Sequence, residues 1–180
     1  LNNLSLYNNQ LSGPIPVTLG SLINLYNLDL NDNQLTGSIP TELGQILNLQ
    51  RLYLNNNQLS GEIPVELVTL TSLWNLSIGN NALSGIIPAG LCDLTNLQYV
   101  NFMNNNFDDQ SCPTIKCLVS KGVNFEWDSN QTQQSGFSLI TDCVYIPVSE
   151  SDSTALVALY NATNGLSWTN NWNTLEPVVK

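Results

Sequence analysis

Leucine recurs along the first hundred residues in a pattern that no single helix or strand can hold. Leu1, Leu25, Leu49, Leu73 and Leu97 stand 24 residues apart, and so do Asn9, Asn33, Asn57, Asn81 and Asn105. Gly13, Gly37, Gly61 and Gly85 keep the same step, as do Ile15-Pro16, Ile39-Pro40, Ile63-Pro64 and Ile87-Pro88. Coincident ladders at one period mark stacked structural units. One unit reads LQRLYLNNNQLSGEIPVELVTLTS. Its opening, LxxLxL, alternates at period two and predicts a short strand with Leu inward and the other positions outward. The Asn that follows accepts a left-handed backbone, and its amide bonds neighbouring main chain. In SGxIP the Gly supplies unusual dihedrals and the Pro fixes φ, so the chain turns. The closing xxLxxLxx returns on the opposite face with spacing suited to a short helical or 3-10 segment. One unit cannot bury its own Leu face. Stacked at about 4.8 Å per strand, several can, and the product is a curved solenoid.

These repeats resemble leucine-rich repeats of the plant type, LxxLxLxxNxLxGxIPxxLxxLxx, over residues 1–107 in five 24-residue units. The resemblance implies a right-handed superhelix with a concave parallel β-sheet, short helical or 3-10 convex segments, and an additional short strand near SGxIP. The Asn ladder then reads as a buried polar rung and not as a ligand site. The array ends visibly. The fifth unit, LQYVNFMNNNFDDQSCPTIKC, keeps Leu97 and Asn105 but has Asp109 where Gly belongs and lacks Ile-Pro. The next stretch, TIKCLVSKGVNFEWDSNQTQ, looks like an eroded sixth unit, with Ile115 and Leu118 facing the core from a short helix and VNFEW as a last strand. Residues 108–147 read as a C-terminal cap that covers the Leu face and the strand edge.

The cysteines fit this plan. Cys92 lies in the fourth unit, and Cys112, Cys117 and Cys143 lie in the cap, so crosslinks would pin cap to array. An even count at a capping position suits a secreted protein. Four cysteines allow three connectivities, and sequence does not choose among them. Cys92 with Cys117 is the favoured pair, because they hold nearly equivalent places in successive units, and it leaves Cys112 with Cys143. A metal site would need different spacing, and no His is available as a ligand. Glycosylation triplets at Asn3, Asn75, Asn130 and Asn161 point to the same extracellular compartment. Asn3 and Asn75 hold the same outward strand position, so a glycan on either would obstruct the concave face.

Charge and composition narrow the chemistry. The 180 residues carry 14 acidic and 4 basic side chains, a net charge of −10. A nucleic-acid surface needs clustered Lys and Arg, which this chain does not have. The absence of His removes Ser–His and Cys–His nucleophile pairs. No run approaches a membrane span, and the opening LNNLSLYNNQ lacks the basic and apolar regions of a signal peptide. Asp108 and Asp109 are adjacent, so their side chains diverge and do not form an acid/base pair; a weakly bound cation is the alternative reading. The glycines of GxIP are not followed by Lys and form no phosphate loop. The reading is a non-enzymatic protein without a cofactor.

Three outward columns describe the concave face: Asn3, Asn27, Arg51, Asn75, Tyr99; Ser5, Asp29, Tyr53, Ser77, Asn101; and Tyr7, Asn31, Asn55, Gly79, Met103. Tyr26, Arg51, Tyr53, Trp74 and Tyr99 are its binding candidates, for a glycan or a peptide, since rings stack and amides hydrogen-bond. A plain solvated sheet is the alternative, and no column is the regular Thr ladder that ice binding would suggest. The C-terminal stretch SESDSTALVALYNATNGLSW places Ser149 and Asp152 at capping-box spacing, then apolar residues at helical spacing, then Gly165 as a stop. It resembles, over residues 149–176, the N-terminal cap that precedes many extracellular leucine-rich arrays. Residues 148–180 then belong to a following array, with Leu156, Leu159, Tyr160, Trp168 and Trp172 as an inter-module contact; an amphipathic helix packed back on the C-terminal cap is the alternative. The function this implies is a scaffold or adhesive module of a longer tandem protein, joined end to end to a neighbouring module or a copy of itself. Receptor-type or inhibitor-type ligand recognition through the concave sheet is the competing reading.

Overall fold

The computed structural model describes residues 1–126. Each unit lays down an inner strand and then an outer one: β1 (Asn3–Ser5) and β2 (Ser12–Pro14), β3 (Asn27–Asp29) and β4 (Gln34–Gly37), β5 (Arg51–Tyr53) and β6 (Gln58–Gly61), β7 (Asn75–Ser77) and β8 (Ala82–Gly85), β9 (Tyr99–Asn101) and β10 (Asn106–Phe107). Between units the chain returns through 3-10 turns at Val17–Ser21, Thr41–Gln45, Val65–Thr69 and Ala89–Asp93. After β10 the pattern changes to α1 (Cys112–Ser120) and then β11 (Asn124–Glu126). The inner strands form one six-stranded sheet in the order β1-β3-β5-β7-β9-β11, and the outer strands a five-stranded sheet, β2-β4-β6-β8-β10. All pairings are parallel, with Leu28, Leu52 and Leu76 aligned in register. This is the repeat solenoid that the 24-residue period predicts.

The leucines account for the stacking. Leu25, Leu49 and Leu73, with Leu28, Leu52 and Leu76, are 0% exposed, in a core continuous from Ile15 to Val123. Each such side chain stabilises the fold by about 1.5–3 kcal/mol relative to leaving it in water. Ile115 and Leu118 of α1 join the same core, as their spacing predicts. A disulfide between Cys92 and Cys117 fastens α1 to the fourth unit, the favoured pairing of the three. Cys112 is also disulfide-bonded; Cys143 lies outside the described residues.

The Asn ladder corrects one expectation and refines another. From Asn33 to Asn105 each ladder amide is a bridge between coils, whereas that of Asn9 bonds only within its own unit. Asn81 Nδ2 donates to the carbonyls of Leu54, Ile78 and Gly79, and its Oδ1 accepts from Leu59 N–H at 3.0 Å. Asn33, Asn57, Asn81 and Asn105 are half-buried and Asn9 is exposed, where the expectation was a buried rung. The left-handed backbone, moreover, belongs to the residue before each one: Asn8, Asp32, Asn56, Asn80 and Asn104 have φ between 48° and 56°. Those residues form a second ladder outside the first, with Asn56 Nδ2 donating to Asp32 Oδ1 at 2.7 Å and Asn80 Nδ2 to Asn56 Oδ1 at 2.6 Å.

Close approach of the return turns is set by glycine. A Cβ built on Gly44 would lie 2.5 Å from the backbone oxygen of Glu66 in the next unit. The equivalent positions farther along are Val68 and Cys92. Gly44→Ala is therefore expected to destabilise by about 1–3 kcal/mol through overpacking against backbone, measured as a lower urea midpoint. An unchanged midpoint would mean that the units separate freely at this point.

Candidate functional site

The inner sheet carries the candidate residues side by side. Parallel register sets Arg51 beside Asn75 and Asn75 beside Tyr99, while Asp29 pairs with Tyr53, Tyr53 with Ser77 and Ser77 with Asn101. Alternation in the strands turns these side chains away from the leucine core. Arg51, Tyr53, Trp74 and Tyr99 are half-buried, and Tyr26 is exposed at 38%. The Arg51 guanidinium lies over the Trp74 ring, 4.9 Å from its centroid, a stacking that holds both side chains in place. Sequence reasoning placed these five residues on one face, and the structure brings Arg51, Tyr53, Trp74 and Tyr99 together on three adjacent strands, with Tyr26 one unit away.

Asn75 stands in the middle of this group and differs from expectation. It is only 9% exposed, and Ser77, the third residue of its triplet, is 6% exposed with its hydroxyl donating to Asn55 Oδ1. Asn75 Oδ1 is buried without a hydrogen-bond partner. The triplet at Asn75 therefore does not project freely from the sheet, whereas Asn3 is exposed. A buried acceptor left without a donor costs about 1–3 kcal/mol, so this oxygen is primed for one. Asn130 and Asn161 lie outside the described residues.

Glu126 extends the site in a way that counting did not show. Asn101 Nδ2 donates to Glu126 Oε2 at 2.9 Å, and the Tyr99 hydroxyl also hydrogen-bonds this carboxylate. Burial, reinforced by that hydrogen bond and by the Glu126 charge, pushes the Tyr99 phenol up to about 12. At the opposite end of the column, burial raises the Asp29 carboxyl above its ordinary value, despite an opposing bond from Asn31 N–H. A raised carboxyl binds its proton more tightly when folded, so its ionisation at neutral pH works against stability. Asp29→Asn should raise the denaturation midpoint at pH 7, and the difference should vanish as pH falls below the ordinary carboxylate range. An equal gain at both pH values would show that charge is not the cause.

Asp108 Oδ1 is likewise buried without a partner, but among the described residues no group of three His, Cys, Asp or Glu side chains converges to hold a metal ion. No helix among them is long and apolar enough to cross a membrane. Leu156, Leu159, Tyr160, Trp168 and Trp172, expected to form an inter-module contact, lie outside the described residues.

The repeats decide the family. The Leucine Rich Repeat family model matches residues 1–22, 24–46, 48–70 and 72–94, together half of the chain. The chain belongs to the leucine-rich repeat family. Among solved structures it is similar to pollen receptor kinase 3, at 32% identity over 73% of this chain and 62% of that one, with a TM-score of 0.64. It is similar to the ectodomain of the Arabidopsis receptor kinase HAESA in complex with an IDA peptide hormone, at 36% identity over 69% of this chain and 20% of that one, TM-score 0.63. The BIR2 ectodomain from Arabidopsis thaliana shares 36% identity over 61% of this chain and 57% of that one, TM-score 0.54. The chain spans less than two thirds of each of these solved chains. No curated protein matches it. The leucine-rich repeat chain is of the plant extracellular type, and its disulfide fits that compartment.

Proposed function

We propose that this leucine-rich repeat chain recognises an extended peptide or protein segment on its inner sheet, as a non-enzymatic binding module. The observation that carries the reading is the unpartnered Asn75 Oδ1, enclosed between Arg51 and Tyr99 in the middle of the aromatic group. An extended peptide offers backbone N–H donors at regular intervals, and one of them can satisfy this oxygen once the side chains around it shift to admit the ligand. Tyr53 and Tyr99 supply rigid contact area at low entropic cost. Asp29 at one end and Arg51 at the centre impose a polarity on whatever lies across them. The geometry favours this recognition reading over the end-to-end scaffold, because the charged and aromatic groups converge on the inner face. The neighbouring HAESA ectodomain holds a peptide hormone, which is consistent with a peptide-sized ligand.

A displayed library of linear peptides, selected on the full chain, tests the reading. Peptides enriched on the native protein should bind Asn75→Ala and Tyr53→Ala at least about tenfold more weakly, the value of one satisfied buried hydrogen bond or one aromatic anchor. Enriched peptides that bind both variants as tightly as the native chain would place recognition elsewhere.

A further inference from the structure

We propose that a second site, at the strand-entry rim of the inner sheet, binds a sugar ring carrying a carboxylate. A cavity of about 580 Å³ opens there across the third, fourth and fifth units, lined by Gln50, Arg51, Ser72, Trp74, Asn96 and Gln98. It is an open depression at the surface, not an enclosed pocket. Its lining is unlike the peptide strip beside it. One aromatic ring is set among four neutral hydrogen-bonding side chains and one cation.

The repeat period places these groups. Gln50, Trp74 and Gln98 occupy one column, 24 residues apart, so the indole is flanked by an amide on each side. Both glutamines are exposed, and neither makes a side-chain hydrogen bond among the described residues. Each therefore keeps a carbonyl acceptor and an NH₂ donor for a ligand. Asn96 is committed on one side only, its Nδ2 donating to Thr71 O at 2.7 Å, which leaves its Oδ1 to accept. A pyranose presents an apolar C–H face to an aromatic ring and a rim of hydroxyls that both donate and accept. Trp74 with its flanking amides matches both properties.

Arg51 selects among sugars. Its guanidinium forms no ion pair among the described residues, although the chain carries a net charge of −10. It lies over Trp74, 4.9 Å from the ring centroid, and two of its N–H donors can hold a carboxylate. A neutral sugar would leave that charge uncompensated. A bare carboxylate would leave the indole and the two amides unused. A uronate-type ring engages all of them.

The site shares Arg51 with the peptide reading, and the experiment separates the two through Tyr53, which only the peptide strip uses. The full chain, ¹⁵N-labelled, is titrated with D-galacturonate, D-galactose, acetate and N-acetylglutamate amide. The Trp74 indole N–H is followed after assignment by Trp74→Phe. D-galacturonate should shift the Trp74 and Gln98 side-chain signals saturably, and D-galactose should bind about tenfold more weakly, the return of one charge-assisted pair. Arg51→Gln should bring D-galacturonate down to the galactose level. Gln98→Ala, at an exposed position that does not threaten folding, should weaken both sugars. Tyr53→Ala should change neither. The proposal is overturned if no signal saturates, if D-galactose equals D-galacturonate, or if acetate or N-acetylglutamate amide binds as well as the sugar acid. The last outcome would mark an anion or acidic-peptide site.

Discussion

Replacing Cys92 and Cys117 together by alanine should lower the stability of the array by about 3 kcal/mol, with the loss concentrated at its C-terminal end. The bridge spans a sequence separation of 25, and closing a loop of that length removes about 3.5 kcal/mol of conformational freedom from the unfolded chain. Little of this is offset elsewhere, because Cys92 is 5% exposed in the core and its partner lies on α1, which has no strand neighbours of its own. Besides the bridge of Cys112, α1 is then held by the burial of Ile115 and Leu118, the Lys121 ammonium donating to the Cys92 carbonyl, and the bond from Thr114 Oγ1 to Ile87 O at 3.1 Å. Repeat arrays unfold by segments, since each unit touches only its neighbours. Hydrogen exchange should therefore show lost protection over β9, α1 and β11 while β3 and β5 keep theirs. The double variant is a cleaner probe than a reductant, which would also open the bridge of Cys112. Uniform loss of protection, or an unchanged urea midpoint, would show that the crosslink does not hold this end.

The period of the leucines was enough to read the solenoid, its inner strand and its short helical or 3-10 returns, because those depend on residue types at fixed spacing, while the second strand of each unit came from the resemblance to plant-type repeats. What escaped depends on neighbours across units or on a choice between identical residues. In LNNNQ the left-handed position is Asn56 and the bridging amide is Asn57. Two adjacent asparagines cannot be told apart by pattern when both roles suit Asn. Only the second unit, with Asp32 before Asn33, breaks the tie, since Asp tolerates the left-handed backbone but has no amide to donate. Glu126 was missed because it aligns with Asn101, 25 residues earlier, and not at the step of 24 kept by the preceding strands. Substituting α1 for an outer turn shifts the count by one. The burial of Asn75 was illegible for another reason: it depends on side chains of neighbouring units, and Asn27 in the same column is equally enclosed.

The same distinction between Asn56 and Asn57 yields a large and opposite pair of expected effects. Asn57→Leu should destabilise the array by about 3 kcal/mol. Asn57 Nδ2 donates to Leu30 O at 3.0 Å, Leu54 O at 3.1 Å and Asn55 O at 3.3 Å, and its Oδ1 accepts from Leu35 N–H at 3.0 Å. Leucine removes a partner from all four backbone groups at once, and each buried group left unpaired costs about 1–3 kcal/mol. The residue is half-buried, so water recovers part of the loss and the total stays below the sum. Asn57→Asp is expected to be comparably damaging, because it keeps the acceptor for Leu35 N–H but sets a charge against carbonyl oxygens. Asn56 behaves otherwise. Its φ is 56° and its half-buried side chain bonds only other side chains, those of Asp32 and Asn80, so Asn56→Gly should cost little, while Asn56→Ala should cost about 1 kcal/mol more from the left-handed backbone. Urea denaturation of the four variants decides the matter. A wild-type midpoint for Asn57→Leu, or a loss in Asn56→Gly equal to that in Asn57→Leu, would mean that the inner ladder is not what ties one coil to the next.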